Sequence, residues 1–147
     1  MMVFLQGPQP TKYWQWSHTA DLGLRIWGST PEELFENAGE ALTAVLTDRR
    51  RLRLRRREEI TVEADDLEAL LVAWLNHLLY LYDVDAFLAR EFQVQELSPR
   101  HLKAQARGET YDPQRHEAKT AVKAATYHHL EIVKRNGGWQ ATVILDL

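Results

Sequence analysis

No cysteine occurs among the 147 residues of the chain. That excludes a disulfide framework, a thiol nucleophile and any thiolate-held metal. Long apolar runs are missing too, and spanning a bilayer core takes about 20 residues of that kind. The opening Met1-Met2-Val3-Phe4-Leu5 is short and is followed at once by Gln6, Pro8 and Pro10. It has neither the basic leader nor the length of a secretion signal, so a cytoplasmic location is expected. Positive charge is not in excess: the formal net charge is -3, which removes a global pull toward nucleic acid but not a local one. The chain also lacks a GxxxxGK phosphate loop, a GxGxxG dinucleotide turn, a GxSxG nucleophile turn and an HExxH zinc helix.

What remains is 45% hydrophobic and 27% charged. That is the composition of a folded domain, which at this length buries about two thirds of its unfolded surface. Residues 1–12 read as a flexible N-terminal arm and 13–147 as one domain. Leu22, Leu24 and Ile26 alternate as in a half-buried strand. Thr30-Pro31-Glu32-Glu33 opens a helix with a cap, a proline at the first helical position and a capping-box glutamate. Behind it Leu34, Phe35, Ala38, Ala41, Leu42, Val45 and Leu46 recur at helical spacing, with an end near Thr47-Asp48. A second helix starts at Asp65 or Asp66, with Asp65 and Glu68 as capping pair. Its broad apolar face runs from Leu67 through Trp74 to Tyr82.

Strands are expected around Ile60–Val62, over Glu91–Leu97 and Leu102–Ala106 as a hairpin, and over 122–133. The last runs from Trp139 to Leu145 after the Asn136-Gly137-Gly138 turn. Gly108–Arg115 reads as a loop. The order strand, helix, strand, helix and four strands predicts an α+β fold, a mixed or antiparallel sheet packed against two main helices, with one face covered.

Asp21 and Asp146 lie at opposite ends of the sequence beside strand-forming residues. If the terminal strands are neighbours, the two carboxylates share one site, and only a cation relieves their repulsion. Two carboxylates with main-chain oxygens and water suit a hard ion such as calcium or magnesium better than zinc. Leu147, at the end of the sequence, offers a further carboxylate. His18 precedes Asp21 by three residues and is placed to orient it through an outer hydrogen bond. His116, His128 and His129 match no zinc spacing, and His128-His129 point opposite ways if both lie in a strand. Lys119 and Lys123 are isolated cations that either meet phosphate or solvate a face. Trp74 belongs to the core by its helix position, whereas Trp14 and Trp16 offer an exposed binding surface.

Arg49 to Arg57 holds seven arginines interrupted only by Leu52 and Leu54. One reading is a solvated edge strand whose charges block pairing. The other is a basic contact patch of Arg49, Arg51, Arg53, Arg55 and Arg57 for RNA phosphate or an acidic protein. No full catalytic constellation emerges, so an accessory protein is favoured over an enzyme.

Several separated segments resemble the archease family. They are Tyr13 through His18-Thr19-Ala20-Asp21, the Thr30-to-Ala38 helix start, Leu70-Leu71-Val72-Ala73-Trp74-Leu75-Asn76, Val122-to-His128, and Ile144-Leu145-Asp146-Leu147. The likeness covers about residues 12–147, in the family's order. It implies a small activator of an RtcB-type RNA ligase, one that promotes guanylylation with GTP and divalent metal and allows multiple turnover. Some members are described as chaperones or modulators of an RNA methyltransferase. By position, the family's metal ligands fall on Asp21, Asp146 and Leu147, with calcium expected ahead of magnesium or manganese. GTP is used by the partner ligase. His18, Lys123 and His128 fall in the same motifs, as outer or partner contacts. Two positions depart from the family pattern: Ser17 and His77 stand where many relatives carry an acid.

Overall fold

The computed structural model describes residues 12–17 and 20–147, so the N-terminal arm before Lys12 and the His18-Thr19 pair lie outside the described residues. Seven strands and two α-helices follow in the order β1 (Tyr13–Ser17), β2 (Asp21–Gly28), α1 (Pro31–Leu46), β3 (Arg56–Glu63), α2 (Leu67–Asp85), β4 (Phe87–Ser98), β5 (His101–Thr110), β6 (Ala124–Arg135) and β7 (Gly138–Asp146). The fold is α+β, with two antiparallel sheets ordered β1-β2-β7-β6 and β3-β5-β4. Sequence patterning led to one sheet with one covered face; the structure has two. The reason is the width of the helical apolar faces: α1 packs on β2 and β4, and α2 on β6 and β4, so each helix serves both sheets. Among the described residues no helix is long and apolar enough to cross a membrane.

Local chemistry sets the helix ends. Thr30 accepts from the Glu33 amide at 3.1 Å, while the Glu33 carboxylate reaches back to the Ser29 amide at 2.7 Å, one residue earlier than a standard capping box. The last carbonyls of α1 are satisfied from far along the chain. The Lys119 and Thr120 amides donate to Leu46 and Val45, and Lys119 Nζ donates to the Ala44 carbonyl at 2.9 Å. A cation thus sits at the negative end of the helix dipole. Lys119 is a cap rather than a phosphate ligand. At α2 the cap is Asp66, which accepts from the Ala69 amide at 2.8 Å, not Asp65 with Glu68.

Leu22, Leu24, Ile26, Val143 and Leu145 point into a continuous core with Leu34, Phe35, Leu70, Leu71 and Trp74. Trp74 is fully buried and donates its indole N–H to the Phe35 carbonyl at 2.9 Å. The Asn136-Gly137 turn has φ of 54° and 78°, as a type I′ hairpin requires, and it brings β7 back along β6. Strand β1 was not expected, because Trp14 and Trp16 read as surface residues. Strand β5 runs to Thr110, past the predicted loop start at Gly108.

Candidate functional site

Strands β2 and β7 pair antiparallel with Asp21 directly opposite Asp146, and Ala124 of β6 is the next residue in that row. The type of pairing follows from the main-chain bonds. The Asp146 carbonyl accepts from the Lys123 amide at 2.8 Å on the β6 side, and the next amide, Leu147, donates to Ala20 at 3.1 Å on the β2 side. The main-chain groups of Asp146 therefore face β6, which makes Asp21–Asp146 a non-hydrogen-bonded pair. Such pairs bring Cα atoms to about 4.5 Å and side chains closest. Leu22 and Leu145, one residue inward, are buried, so strand alternation puts both carboxylates on the outer face.

Like charges directly across a ladder are destabilising. Among the described residues neither carboxylate has an ion pair or side-chain hydrogen bond. Arg25 is the next cation along the same face of β2, but the Trp16 ring lies across the intervening position. A Cβ on Gly23 would sit 2.0 Å from that ring, so only glycine admits it. Burial holds the Arg25 guanidinium down to about 10, with Arg135 adding to the fall and Glu131 opposing it. Of the two tryptophans expected at the surface, Trp14 is exposed and Trp16 half-buried.

The β6 wall of the site is built from α2. Asn76 donates to the Ala125 carbonyl at 3.2 Å and accepts from the Ala125 amide at 2.8 Å, acting as one residue of a missing strand. Thr126 Oγ1 donates to the Ile144 carbonyl at 2.9 Å. Immediately beyond, the β6–β7 register breaks between Thr126 and Glu131. Within the break His129 adopts φ 53°, and the His128 and His129 rings stand 4.1 Å apart. They do not point to opposite faces as a regular strand would require; the irregular backbone turns them toward each other.

The structure thus brings Asp21 and Asp146 together, with Leu147 fixed beside them and Lys123 tied to Asp146 through the main chain. His128 lies four residues along β6 from the carboxylate row, in the broken segment. His18 lies outside the described residues. Ser17 ends β1, exposed. His77 is half-buried on α2 beside the Tyr80 ring, and burial lowers its pKa against the opposing charge of Glu58. No group of three or more histidines and acids that could hold a metal occurs among the described residues. Among the described residues the donors at the row are hard oxygens only, two carboxylates and neighbouring main-chain carbonyls. That set fits a calcium, magnesium or manganese ion with water completing its shell, and offers zinc nothing it prefers.

Two features escaped the sequence reading. Asn76 is one: an amide on the apolar face of α2 was the available signal. The other is Glu109, buried on β5 and bonded to the Arg53 amide at 2.7 Å, to Arg115, and to His116 Nε2 at 2.9 Å. Burial would raise its pKa, but the three donors outweigh it and hold the carboxyl down to about 2. His116 Nδ1 accepts from the Asp112 amide at 2.8 Å, so Nε2 carries the proton and donates to Glu109. With both nitrogens engaged and the ring fully buried, His116 is a structural partner. The arginine run is not one edge strand. A 3₁₀ turn covers Arg49–Arg51, an irregular stretch follows, and β3 begins only at Arg56.

The sequence model of the archease protein family matches residues 13–147. A protein archease of Methanosarcina mazei is 41% identical over 143 residues, covering 95% of this chain and 98% of its own. One from Pyrococcus furiosus is 38% identical over 141 residues, covering 92% and 99%. The solution structure of Methanobacterium thermoautotrophicum protein 1598 superposes with a TM-score of 0.75 at 37% identity, covering 92% of this chain and 99% of that one. A Thermotoga maritima crystal structure, named an archease and possible chaperone, shares the fold at TM-score 0.65 and 21% identity, covering 98% and 100%. A chain that matches the family over nearly its whole length, with that family's fold, belongs to the archease family.

Proposed function

We propose that this protein is a non-catalytic activator of an RtcB-type RNA ligase, promoting the ligase's GTP- and metal-dependent guanylylation and its multiple turnover. The observation that carries the reading is the direct opposition of Asp21 and Asp146 on the outer face, with no cation of the described chain to neutralise them. Asp21, Asp146 and main-chain oxygen at Leu147 would hold a divalent ion. Once bound, it supplies the positive charge that the row lacks and a Lewis-acidic centre for phosphate oxygens. The protein's own part is positional. Asn76 clamps β6, Lys123 fixes the Asp146 main chain, and Trp16 walls the row from Arg25. A separate catalytic role finds no support in Glu109–His116, because the His116 ring is fully buried and both its nitrogens are engaged.

The test is multiple-turnover ligation by the matching ligase with GTP and divalent metal, comparing wild type with Asp146→Ala. Circular dichroism checks that the variant is folded. Activation by wild type and at least a tenfold loss in the folded variant is the expected result. Equal activation by both proteins sinks the reading. A protein that does not activate the ligase, yet preserves an RNA methyltransferase from aggregation with or without Asp146, would instead be a chaperone.

A further inference from the structure

The arginine run is a built surface, separate from the carboxylate row and lying beside the other sheet. Leu52, at its centre, is fully buried. The carbonyl of Leu52 accepts from Arg90 Nη1 at 3.1 Å, and Arg49 returns a bond to the Arg90 carbonyl at 2.7 Å. The Arg53 amide is held by Glu109 and the Arg55 amide by the Gly108 carbonyl at 2.8 Å. A merely solvated segment needs no such anchoring. With the backbone fixed, Arg51, Arg53, Arg55 and Arg57 are exposed, and no ion pair joins them to an acid among the described residues.

Beside them opens a cleft of about 510 Å³ lined by Arg55 and Arg56 on one side and Arg115 on the other, with Thr110 and Tyr111 between. Arg56 donates to Thr110 Oγ1 and the Asp85 carbonyl, both at 3.1 Å, and is paired with the Glu58 carboxylate at 3.2 Å. Glu109 also lines the cleft, but both its oxygens are occupied, and Asp112 faces Arg115 at 3.9 Å. The charge is concentrated here. Outside the seven arginines of the run, 11 lysines and arginines face 21 acids.

We infer that this cleft and the exposed arginines bind the phosphate backbone of a nucleic acid. Guanidinium forks match phosphate oxygens two at a time, and a cleft of this volume exceeds one phosphate. An acidic protein segment is disfavoured because stable protein interfaces centre on a buried apolar anchor. Three arginines line the cleft with Glu109, Thr110, Tyr111 and Asp112, and Leu54 is the one exposed large aliphatic side chain of the run. Phosphate binding needs no such anchor. The inference does not depend on the ligase reading, since it uses none of Asp21, Asp146 or Leu147.

Fluorescence anisotropy with a labelled 15-nucleotide single-stranded RNA tests it, for wild type, Arg55→Glu/Arg57→Glu and Asp146→Asn. If about four phosphates are met, affinity falls roughly 50-fold between 50 and 200 mM salt. The double charge reversal should weaken binding at least tenfold at 50 mM salt while leaving the melting curve in place, because neither side chain holds a bond among the described residues. Asp146→Asn should bind as wild type does, which keeps this result separate from failure of the ligase reading. No binding at 50 mM salt, equal binding by the double variant, or displacement by polyglutamate as effectively as by unlabelled RNA of equal charge would each overturn the inference. The last outcome would point to an acidic protein.

Discussion

Glu109 and Asp146 each stand at the end of a strand, β5 and β7, yet their surroundings are opposite. Glu109 is buried and takes three donors, from the Arg53 amide, Arg115 and His116. Asp146 is exposed and faces a second carboxylate, Asp21, across the ladder. A buried charge left unpaired is costly, so the fold supplies Glu109 with partners from a loop that closes over it. A surface pair of acids, Asp146 exposed and Asp21 half-buried, costs less and can be left for something outside the chain to neutralise. The partnered acid therefore serves the fold, whereas the Asp21–Asp146 pair has no side-chain partner among the described residues.

The sharpest way to break this contrast is to remove each acid in turn. Glu109→Ala leaves Arg115 and the Arg53 amide without their acceptor and should cost about 3 kcal/mol. That lowers the melting temperature by about 9 °C, read by circular dichroism. A shift under 2 °C would mean that the cluster is not structural. Acid should reproduce part of this loss. The folded Glu109 carboxyl is held down to about 2 against an ordinary 4.5. Its contribution is therefore complete above about pH 4.5 and disappears as the pH falls toward 2. Urea melts of Glu109→Gln should show a flatter dependence over that window than wild type.

The smallest effect has the opposite sign. In chelator, Asp146→Asn removes the like-charge opposition and should raise the melting temperature by about 1–2 °C. Millimolar calcium should then stabilise wild type and leave the variant unmoved. Destabilisation of the apo variant, or an equal calcium response in both, would show that Asp146 has a partner within the fold after all.

How much of this was legible in the sequence divides along the range of the interactions. Thr30, Pro31 and Glu33 announce α1 because capping is settled within four residues. The Asp21–Asp146 row follows once the alternation of Leu22-Leu24-Ile26 and Val143-Leu145 puts the remaining positions on one outer face. The division into two sheets was not legible, because a wide apolar helix face says how much it buries and not against how many partners. Nor was the Glu109 cluster, whose donors come from Arg53, Arg115 and His116, up to 56 residues away. The break in β6 eluded pattern reading as well: Tyr127-His128-His129 carries the residues of a strand, and only pairing with β7 reveals the irregularity.

Gly23 has an optical consequence. By letting the Trp16 indole lie flat across β2, it holds a fluorophore two residues along the same face from Asp21. Indole emission shifts with the local electric field, and a divalent cation held between the two carboxylates would cancel most of that field. Were the row to take up the divalent cation proposed above, Trp16 would act as an intrinsic gauge of its occupancy, readable without any label.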